Sequence, residues 1–235
     1  MEYGLIGEHL PHSFSPEIHK RIGDYKYEIK ELEPEELESF IKAKDFKGIN
    51  VTIPYKQAVI PYLDEIDETA KEIGAVNTIV NRSGKLFGYN TDFGGLKALF
   101  ERAGIFVSGK RAIILGNGGT SKTAEAVLKN LGAQTVLKTD LFPSKNVITN
   151  DEAVLSHSDA EILVNTTPCG MFPKLSGMAA DPADFQKAEG VIDVVYNPLK
   201  TDFIQRAQSL GIPAKGGLYM LVMQAILAAE RFFDE

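Results

Sequence analysis

An α/β fold is what this sequence predicts, and three stretches carry the prediction. The first is Gly48-Ile49-Asn50-Val51-Thr52-Ile53-Pro54-Tyr55-Lys56, where Ile49, Val51 and Ile53 alternate with Asn50 and Thr52. That period of two marks a strand with one apolar and one polar face. A weakly alternating run at 25–32 and an apolar-periodic helix over Pro34–Ala43 precede it, so strand, helix and strand follow in order. The second is Arg111–Leu115, a continuous apolar run of the kind found in buried parallel strands, followed by a glycine loop, a helix over 123–131 and a further strand over Thr135–Thr139. The third is the long apolar helix Leu218–Phe233, set off by Gly216-Gly217.

With 235 residues the chain has room for one large domain or two modest ones. A net charge of −7 leaves no basic surplus to neutralise phosphates, which argues against a nucleic-acid partner while leaving room for a local basic pocket. Cys169 is the sole cysteine, so no intramolecular disulfide can form, as suits a reducing cytoplasm. The first twenty residues lack a basic segment followed by an apolar core, so no signal peptide is expected. No apolar run reaches the length of a membrane span, because Gln224 interrupts the most apolar stretch.

In chain order, residues 3–6 closed by Gly7 read as a buried first strand. Ser15 then Pro16 reads as a helix start, with a hydroxyl N-cap and a proline at the first helical position. Ser13 lies two residues earlier, so both hydroxyls can point into one pocket, and capping by Ser15 is compatible with ligand contact. His9, His12 and His19 have no cysteine partner or second ligand motif, so no metal site is expected. Tyr55 and Lys56 sit just past the organising strand, either as one wall of a small-molecule site or as part of a solvated edge. Residues 60–73 suggest one or two short helices. A hairpin joins 77–80 to 85–89 through Ser83-Gly84, and Thr91 or Asp92 is placed to cap a helix over 93–103.

In the second half, Gly116-Asn117-Gly118-Gly119-Thr120-Ser121-Lys122 lies between strand and helix. Glycines there let backbone N–H groups approach an anion closely, although Ser121 replaces the last glycine of a strict dinucleotide fingerprint. The end of the next strand offers both Lys138, suited to a ribose 2′-phosphate, and Asp140, suited to a free 2′-hydroxyl. Residues 141–160 are polar and short, with little room for a crossover helix. Strands at 161–167 and 191–196 run into Pro168 and Pro198, and an amphipathic helix over 201–210 ends at Gly211.

Together these pieces resemble the shikimate dehydrogenase family nearly from end to end. The motifs are His12-Ser13-Phe14-Ser15-Pro16, Asn50-Val51-Thr52-Ile53-Pro54-Tyr55-Lys56, Ala75-Val76-Asn77-Thr78, Gly88-Tyr89-Asn90-Thr91-Asp92, the 116–119 loop, Asn165-Thr166-Thr167-Pro168-Cys169-Gly170-Met171, Asp193-Val194-Val195-Tyr196-Asn197-Pro198-Leu199 and Gly217-Leu218-Tyr219-Met220-Leu221-Val222-Met223-Gln224-Ala225. Each is weak alone; their joint occurrence in order is specific. The resemblance implies an α/β substrate domain at 1–92, completed by 217–235 as the last helix returns, and a Rossmann-like NADP-binding domain at 93–216. It implies reversible NADPH-dependent reduction of 3-dehydroshikimate to shikimate, in aromatic amino-acid biosynthesis. Lys56 and Asp92 would be the catalytic pair. Ser13, Ser15 and Tyr196 would meet the substrate carboxylate, and Asn50, Thr52, Asn77, Thr91 and Gln224 its ring hydroxyls. Gly116, Asn117, Gly118, Gly119, Thr120, Lys122, Lys138, Thr166, Thr167, Pro168, Met171 and Val195 would line the cofactor, with Gly217 and Met220 at the nicotinamide.

The residue chemistry agrees. Reducing a ketone needs a hydride donor and a proton source at the developing alkoxide, and a lysine ammonium supplies the proton and charge stabilisation. An ionised aspartate beside it orients the amine; no metal is required. Cys169 lacks a partnering base and reads as structural. The chain departs from the family in its shortened 139–160 segment. NADP-preferring members carry Asn-Arg-Thr where this chain has Leu137-Lys138-Thr139, then Asp140. Lys138 can meet a 2′-phosphate only as a point charge. The expectation is therefore NADP, with NAD not excluded. An NAD-using quinate/shikimate dehydrogenase and a non-catalytic cofactor-binding regulator are the alternatives. The partner is a small molecule, and a monomer and a homodimer both remain open.

Overall fold

A computed structural model of the chain describes residues 1–10 and 13–234; His12, which opens the first family motif, lies outside the described residues. The chain divides into two compact units, Met1–Gly94 with Val222–Glu235, and Gly95–Leu221.

The first unit begins with β1 (Tyr3–Gly7), buried along its whole length, then α1 (Ser15–Ile22), β2 (Tyr27–Glu31), α2 (Pro34–Ala43) and β3 (Gly48–Val51). A 3-10 turn at Ile60–Tyr62, β4 (Glu65–Ile66) and α3 (Glu68–Ile73) follow. The hairpin β5 (Thr78–Arg82) and β6 (Lys85–Tyr89) turns through Ser83 and Gly84 at φ 52° and 85°, the paired positive values that a two-residue hairpin requires. The sheet order is β2-β1-β3-β5-β6-β4, with β1 parallel to both neighbours and β5 antiparallel to both of its own. Ile6, Ile41, Ile49, Val76, Ile79 and Leu86 share one core beneath it.

One of two alternatives falls here and two expectations are corrected. β3 presents no solvated face: all four of its residues are buried, because it lies mid-sheet between β1 and β5. It also stops at Val51 rather than running to Pro54. Thr52 N–H donates to Ile6 O at 3.0 Å, and Tyr55 N–H then closes a turn onto Thr52 O at 2.9 Å. Ser15 does not cap α1. It is the first helical residue, Phe14 holds the cap position and does not cap the helix through its side chain, and the Ser13 hydroxyl accepts from Ser15 N–H at 3.3 Å.

The unit boundaries fall within α4 (Thr91–Ala103) and, at the far end of the chain, the last helix. The second unit continues with β7 (Arg111–Leu115), α5 (Gly119–Asn130), β8 (Thr135–Thr139), β9 (Val147–Ile148), α6 (Asn150–His157) and β10 (Ile162–Asn165). A long loop with a 3-10 turn at Pro182–Asp184 leads to β11 (Gly190–Asp193), α7 (Asp202–Ser209), β12 (Ala214–Gly216) and α8 (Leu218–Phe233). The strands order β12-β11-β10-β7-β8-β9 and every pairing is parallel. Numbered within the unit this is 3-2-1-4-5-6, the doubly wound Rossmann order, whose switch point lies between β7 and β10.

Helix α5 starts at Gly119, four residues before the expected 123. Gly118 takes the cap position, and the Ser121 hydroxyl donates back to Gly118 O at 2.7 Å. The shortened segment also resolves. The connection 140–146 between β8 and β9 carries no helix, which is brief for a parallel crossover. The helix that does fit, α6, follows β9 and is capped by Thr149 accepting from Glu152 N–H.

Candidate active site

The first unit brings Lys56 and Asp92 together. Lys56 lies in the turn after β3, its carbonyl accepting from Val76 N–H at 2.8 Å, and neighbouring Tyr55 is anchored through its hydroxyl to Leu32 O. Lys56 Nζ donates to Asp92 Oδ2 at 2.5 Å, the two side chains being 23% and 14% exposed. The pair is thus largely shielded, yet an incoming oxygen can still reach it. Asp92 is available because α4 is capped by others. Asn90 Oδ1 accepts from Phe93 N–H at 3.2 Å and Asn77 Oδ1 from Thr91 N–H at 2.7 Å, so neither Thr91 nor Asp92 is the side-chain cap expected from sequence.

Behind the pair runs a buried polar chain. Asn50 Nδ2 donates to Thr78 Oγ1 at 3.0 Å and to Asn77 O at 3.3 Å, while its Oδ1 accepts from the Tyr27 hydroxyl at 2.7 Å. Thr78 donates to Asn77 Oδ1 at 3.1 Å, and Asn77 Nδ2 donates to Thr91 Oγ1 at 3.1 Å. Asn50, Asn77, Thr78 and Thr91 are all buried. Their mutual bonds satisfy groups that would otherwise be costly to bury. Thr52 and Ser13 are half-buried and Ser15 is buried; Gln224 is half-buried on α8 in the same unit.

In the second unit, Asn117, Gly118 and Gly119 are exposed at the end of β7, and a Cβ added at Gly118 or Gly119 would meet nothing within 4 Å. Bare backbone at a helix N-terminus beside the switch point is a fitting cradle for a dinucleotide pyrophosphate. Gly116, at φ 107°, is held for a different reason: a Cβ there would lie 2.8 Å from Thr166 Oγ1. Thr166 Oγ1 donates to Leu115 O at 2.9 Å, and Thr167 donates through its N–H and hydroxyl to Asn165 Oδ1 at 3.1 and 2.6 Å. Pro168 and Met171 are exposed on the same loop. Gly217 packs so tightly on β11's exit that a Cβ would lie 2.1 Å from Val194 O, with Val195 and Met220 buried nearby in sequence.

One carboxylate organises these loops. Asp193, fully buried, accepts from Asn165 Nδ2 at 2.9 Å, Val195 N–H at 3.0 Å and the Thr201 hydroxyl at 2.5 Å. Burial pushes its carboxyl above the ordinary value, and those donors pull it back. Burial likewise raises the Tyr196 phenol, three residues past the end of β11.

Lys138 is placed differently from a free 2′-phosphate ligand. Its Nζ pairs with Glu125 Oε2 of α5 at 2.7 Å, and Glu125 also holds Lys129 at 2.6 Å. Asp140, by contrast, leaves the end of β8 beside the glycine loop, where Gly116 N–H donates to Thr139 O at 3.1 Å. Lys122 is exposed in the first turn of α5. Among the described residues no group of His, Cys, Asp and Glu is placed to hold a metal ion. No described helix is long and apolar enough to cross a membrane.

A family model for the shikimate dehydrogenase substrate binding domain matches residues 5–79. The shikimate dehydrogenase (NADP(+)) of Clostridium beijerinckii is 39% identical over 243 residues, covering 97% of this chain and 90% of that protein. The chain belongs to the shikimate dehydrogenase family. Solved structures agree. A chorismate mutase/shikimate 5-dehydrogenase fusion protein from Clostridium acetobutylicum is 36% identical with a TM-score of 0.92, covering 98% of this chain and 89% of that one. Shikimate 5-dehydrogenase from Thermus thermophilus, solved with NADP(H) and shikimate, is 29% identical with a TM-score of 0.88, covering 99% of this chain and 93% of that one.

For this shikimate dehydrogenase family member, sequence reasoning missed Tyr27, Thr78, Asn90, Glu125 and Asp193. Asn90 had a legible signal, an asparagine directly before a helical run. Glu125 did too, at four residues before Lys129. Tyr27 meets Asn50, Thr78 meets Asn50 and Asp193 meets Asn165 across more than twenty residues, contacts that no local pattern reveals.

Proposed function

We propose that this protein is a shikimate dehydrogenase that interconverts 3-dehydroshikimate and shikimate with NADP(H). The observation that carries the proposal is the shielded Lys56–Asp92 pair, set before a buried row of amides and hydroxyls. Family membership and relatives named for this activity support it.

In the reductive direction Lys56 stabilises negative charge growing on the carbonyl oxygen and delivers a proton to it. Asp92 keeps the ammonium aimed and accepts from a neighbouring ring hydroxyl. Asn50, Thr52, Asn77, Thr91 and Gln224 hold the hydroxyls, while Ser13, Ser15 and Tyr196 meet the carboxylate. A bound nicotinamide supplies the hydride. Gly116 to Thr120, with Lys122, hold the pyrophosphate by backbone and charge. Thr166, Thr167, Pro168, Met171 and Val195 flank the dinucleotide, and Gly217 and Met220 lie toward the nicotinamide. Residues 1–92 with 217–235 serve the substrate and 93–216 the cofactor. The enzyme works on free small molecules in the cytoplasm, as a monomer or homodimer.

A second reading is an NAD-using quinate/shikimate dehydrogenase, and one observation favours its cofactor: Lys138 is engaged by Glu125 while Asp140 follows the strand end. Initial rates with shikimate and quinate, each with NADP+ and NAD+, decide between them. Turnover of shikimate with NADP+ supports the first; a preference for quinate with NAD+ overturns it.

A further inference from the structure

The buried polar chain through Asn50, Thr78, Asn77 and Thr91 is entered at one end by the Tyr27 hydroxyl. Tyr27 sits on β2, two strands away from β3, and its side chain reaches across β1 to Asn50. Its ring lies flat on His19 of α1, centroids 3.8 Å apart and planes 7° off parallel. His19 is fully buried, with Nδ1 2.5 Å from the Tyr25 hydroxyl. Tyr27 therefore has little freedom to swing, and its hydroxyl is delivered to Asn50 at a fixed height above the sheet.

An asparagine amide has two chemically different ends, and each end of Asn50 meets a distinct demand. Asn77 O can only accept, so the amide's NH2 must face it and Thr78. The carbonyl end then needs a donor, which is Tyr27. Burial holds the Tyr27 phenol well above its ordinary value, so the donor keeps its proton across the working pH range. Burial pushes the His19 imidazole down to about 4, with Asn50 opposing, so the stacking partner stays neutral over that range. From Asn50 the bonds pass through Thr78 to Asn77 and Thr91, both candidates for the substrate's hydroxyls.

We infer that Tyr27 is a positioning residue, fixing through Asn50 and Thr78 the amide orientations that bind the substrate ring; it rests on the dehydrogenase function proposed above. The bonds running from Tyr27 to Thr91 form a network separate from the Lys56–Asp92 bond. Loosening that network therefore weakens binding of the ring and leaves the proton-transfer step largely intact.

The test is Tyr27→Phe, which keeps the ring on His19 and removes only the hydroxyl, compared with Thr78→Val and Thr78→Ser. Loss of one such bond predicts a roughly 3–10-fold higher KM for shikimate in Tyr27→Phe. Its kcat should stay within about twofold of wild type, and KM for the dinucleotide should not move. Thr78→Val should shift KM the same way, and Thr78→Ser, which retains the hydroxyl, should restore it. A purely structural Tyr27 would lower the melting temperature and the active fraction while leaving KM for shikimate in place. That pattern, with wild type active on shikimate, overturns the inference alone. A wild type that turns over no shikimate overturns the functional reading and the inference with it.

Discussion

Replacing Lys56 by alanine removes the proposed proton donor and its charge in one step. The Nζ–Oδ2 separation of 2.5 Å gives an attraction of about 2–7 kcal/mol for effective dielectric constants of 80 down to 20. Much of that is offset by desolvation of two partly shielded groups, so the pair's worth to the fold is small. Its worth to the reaction is larger, because charge appears on the carbonyl oxygen only as the hydride arrives. Loss of a positioned acid predicts a fall in kcat of about 10²–10⁴, equivalent to about 2.7–5.4 kcal/mol of transition-state stabilisation. The amides and serines remain, so KM for shikimate should change by no more than about threefold. Asp92→Asn should cost less, because the ammonium survives without its aim. The assay is steady-state oxidation of shikimate followed by dinucleotide reduction, with calorimetric binding of shikimate to each variant. Undiminished kcat in Lys56→Ala refutes the assignment of the proton to lysine. A kcat loss matched by lost shikimate binding refutes the separation of chemistry from affinity.

Asp193→Ala strands three buried donors, on Asn165, Val195 and Thr201, and should destabilise the protein by about 3–5 kcal/mol in denaturant titrations. The sign of its pH effect follows from the raised folded-state pKa. The stability from this group is full below the unfolded value of 3.8 and is lost as pH rises through the folded value, so the gap between wild type and Asp193→Ala should widen on acidification from about pH 7 to about pH 4. Glu125→Gln removes the carboxylate that occupies Lys138, and should tighten NADP+ binding by roughly 3–10-fold while leaving NAD+ unchanged; equal effects on both, by fluorescence titration, would discard Lys138 as a phosphate ligand. Gly118→Ala meets no atom within 4 Å and has an ordinary φ of −80°, so melting should be unaffected. Its methyl would nonetheless crowd an approaching pyrophosphate, and dinucleotide affinity should drop about tenfold or more; intact affinity would exclude the glycine loop as the cradle.

Much of this architecture is legible in the sequence because local patterns decide it. The bounds of α2, β7, β8 and α8 are readable from periodicity, apolar runs and flanking glycine or proline. The polar strand at Asn50 misleads for a tertiary reason: alternation describes two faces, but both faces of a mid-sheet strand are covered, and the buried amide is satisfied by Tyr27 and Thr78. The start of α5 falls earlier than expected because glycine and serine argue for a loop by propensity, whereas Ser121 folds back on Gly118 O and continues the helix. Lys138 is visible as a charge near the ribose end of β8. Its engagement by Glu125 depends on how α5 lies along that strand, which no spacing within either segment encodes.

The capping of α4 has an evolutionary consequence. Because Asn90 and Asn77 hold the helix start, Asp92 is not needed as its side-chain cap and is left to face Lys56. A substitution at that position therefore acts on the Lys56 contact, and on the ring hydroxyl that Asp92 is proposed to accept from, rather than on the side-chain capping of the helix. Selection on the carboxylate that faces Lys56 and selection on the side chains that start the helix thus fall on different residues.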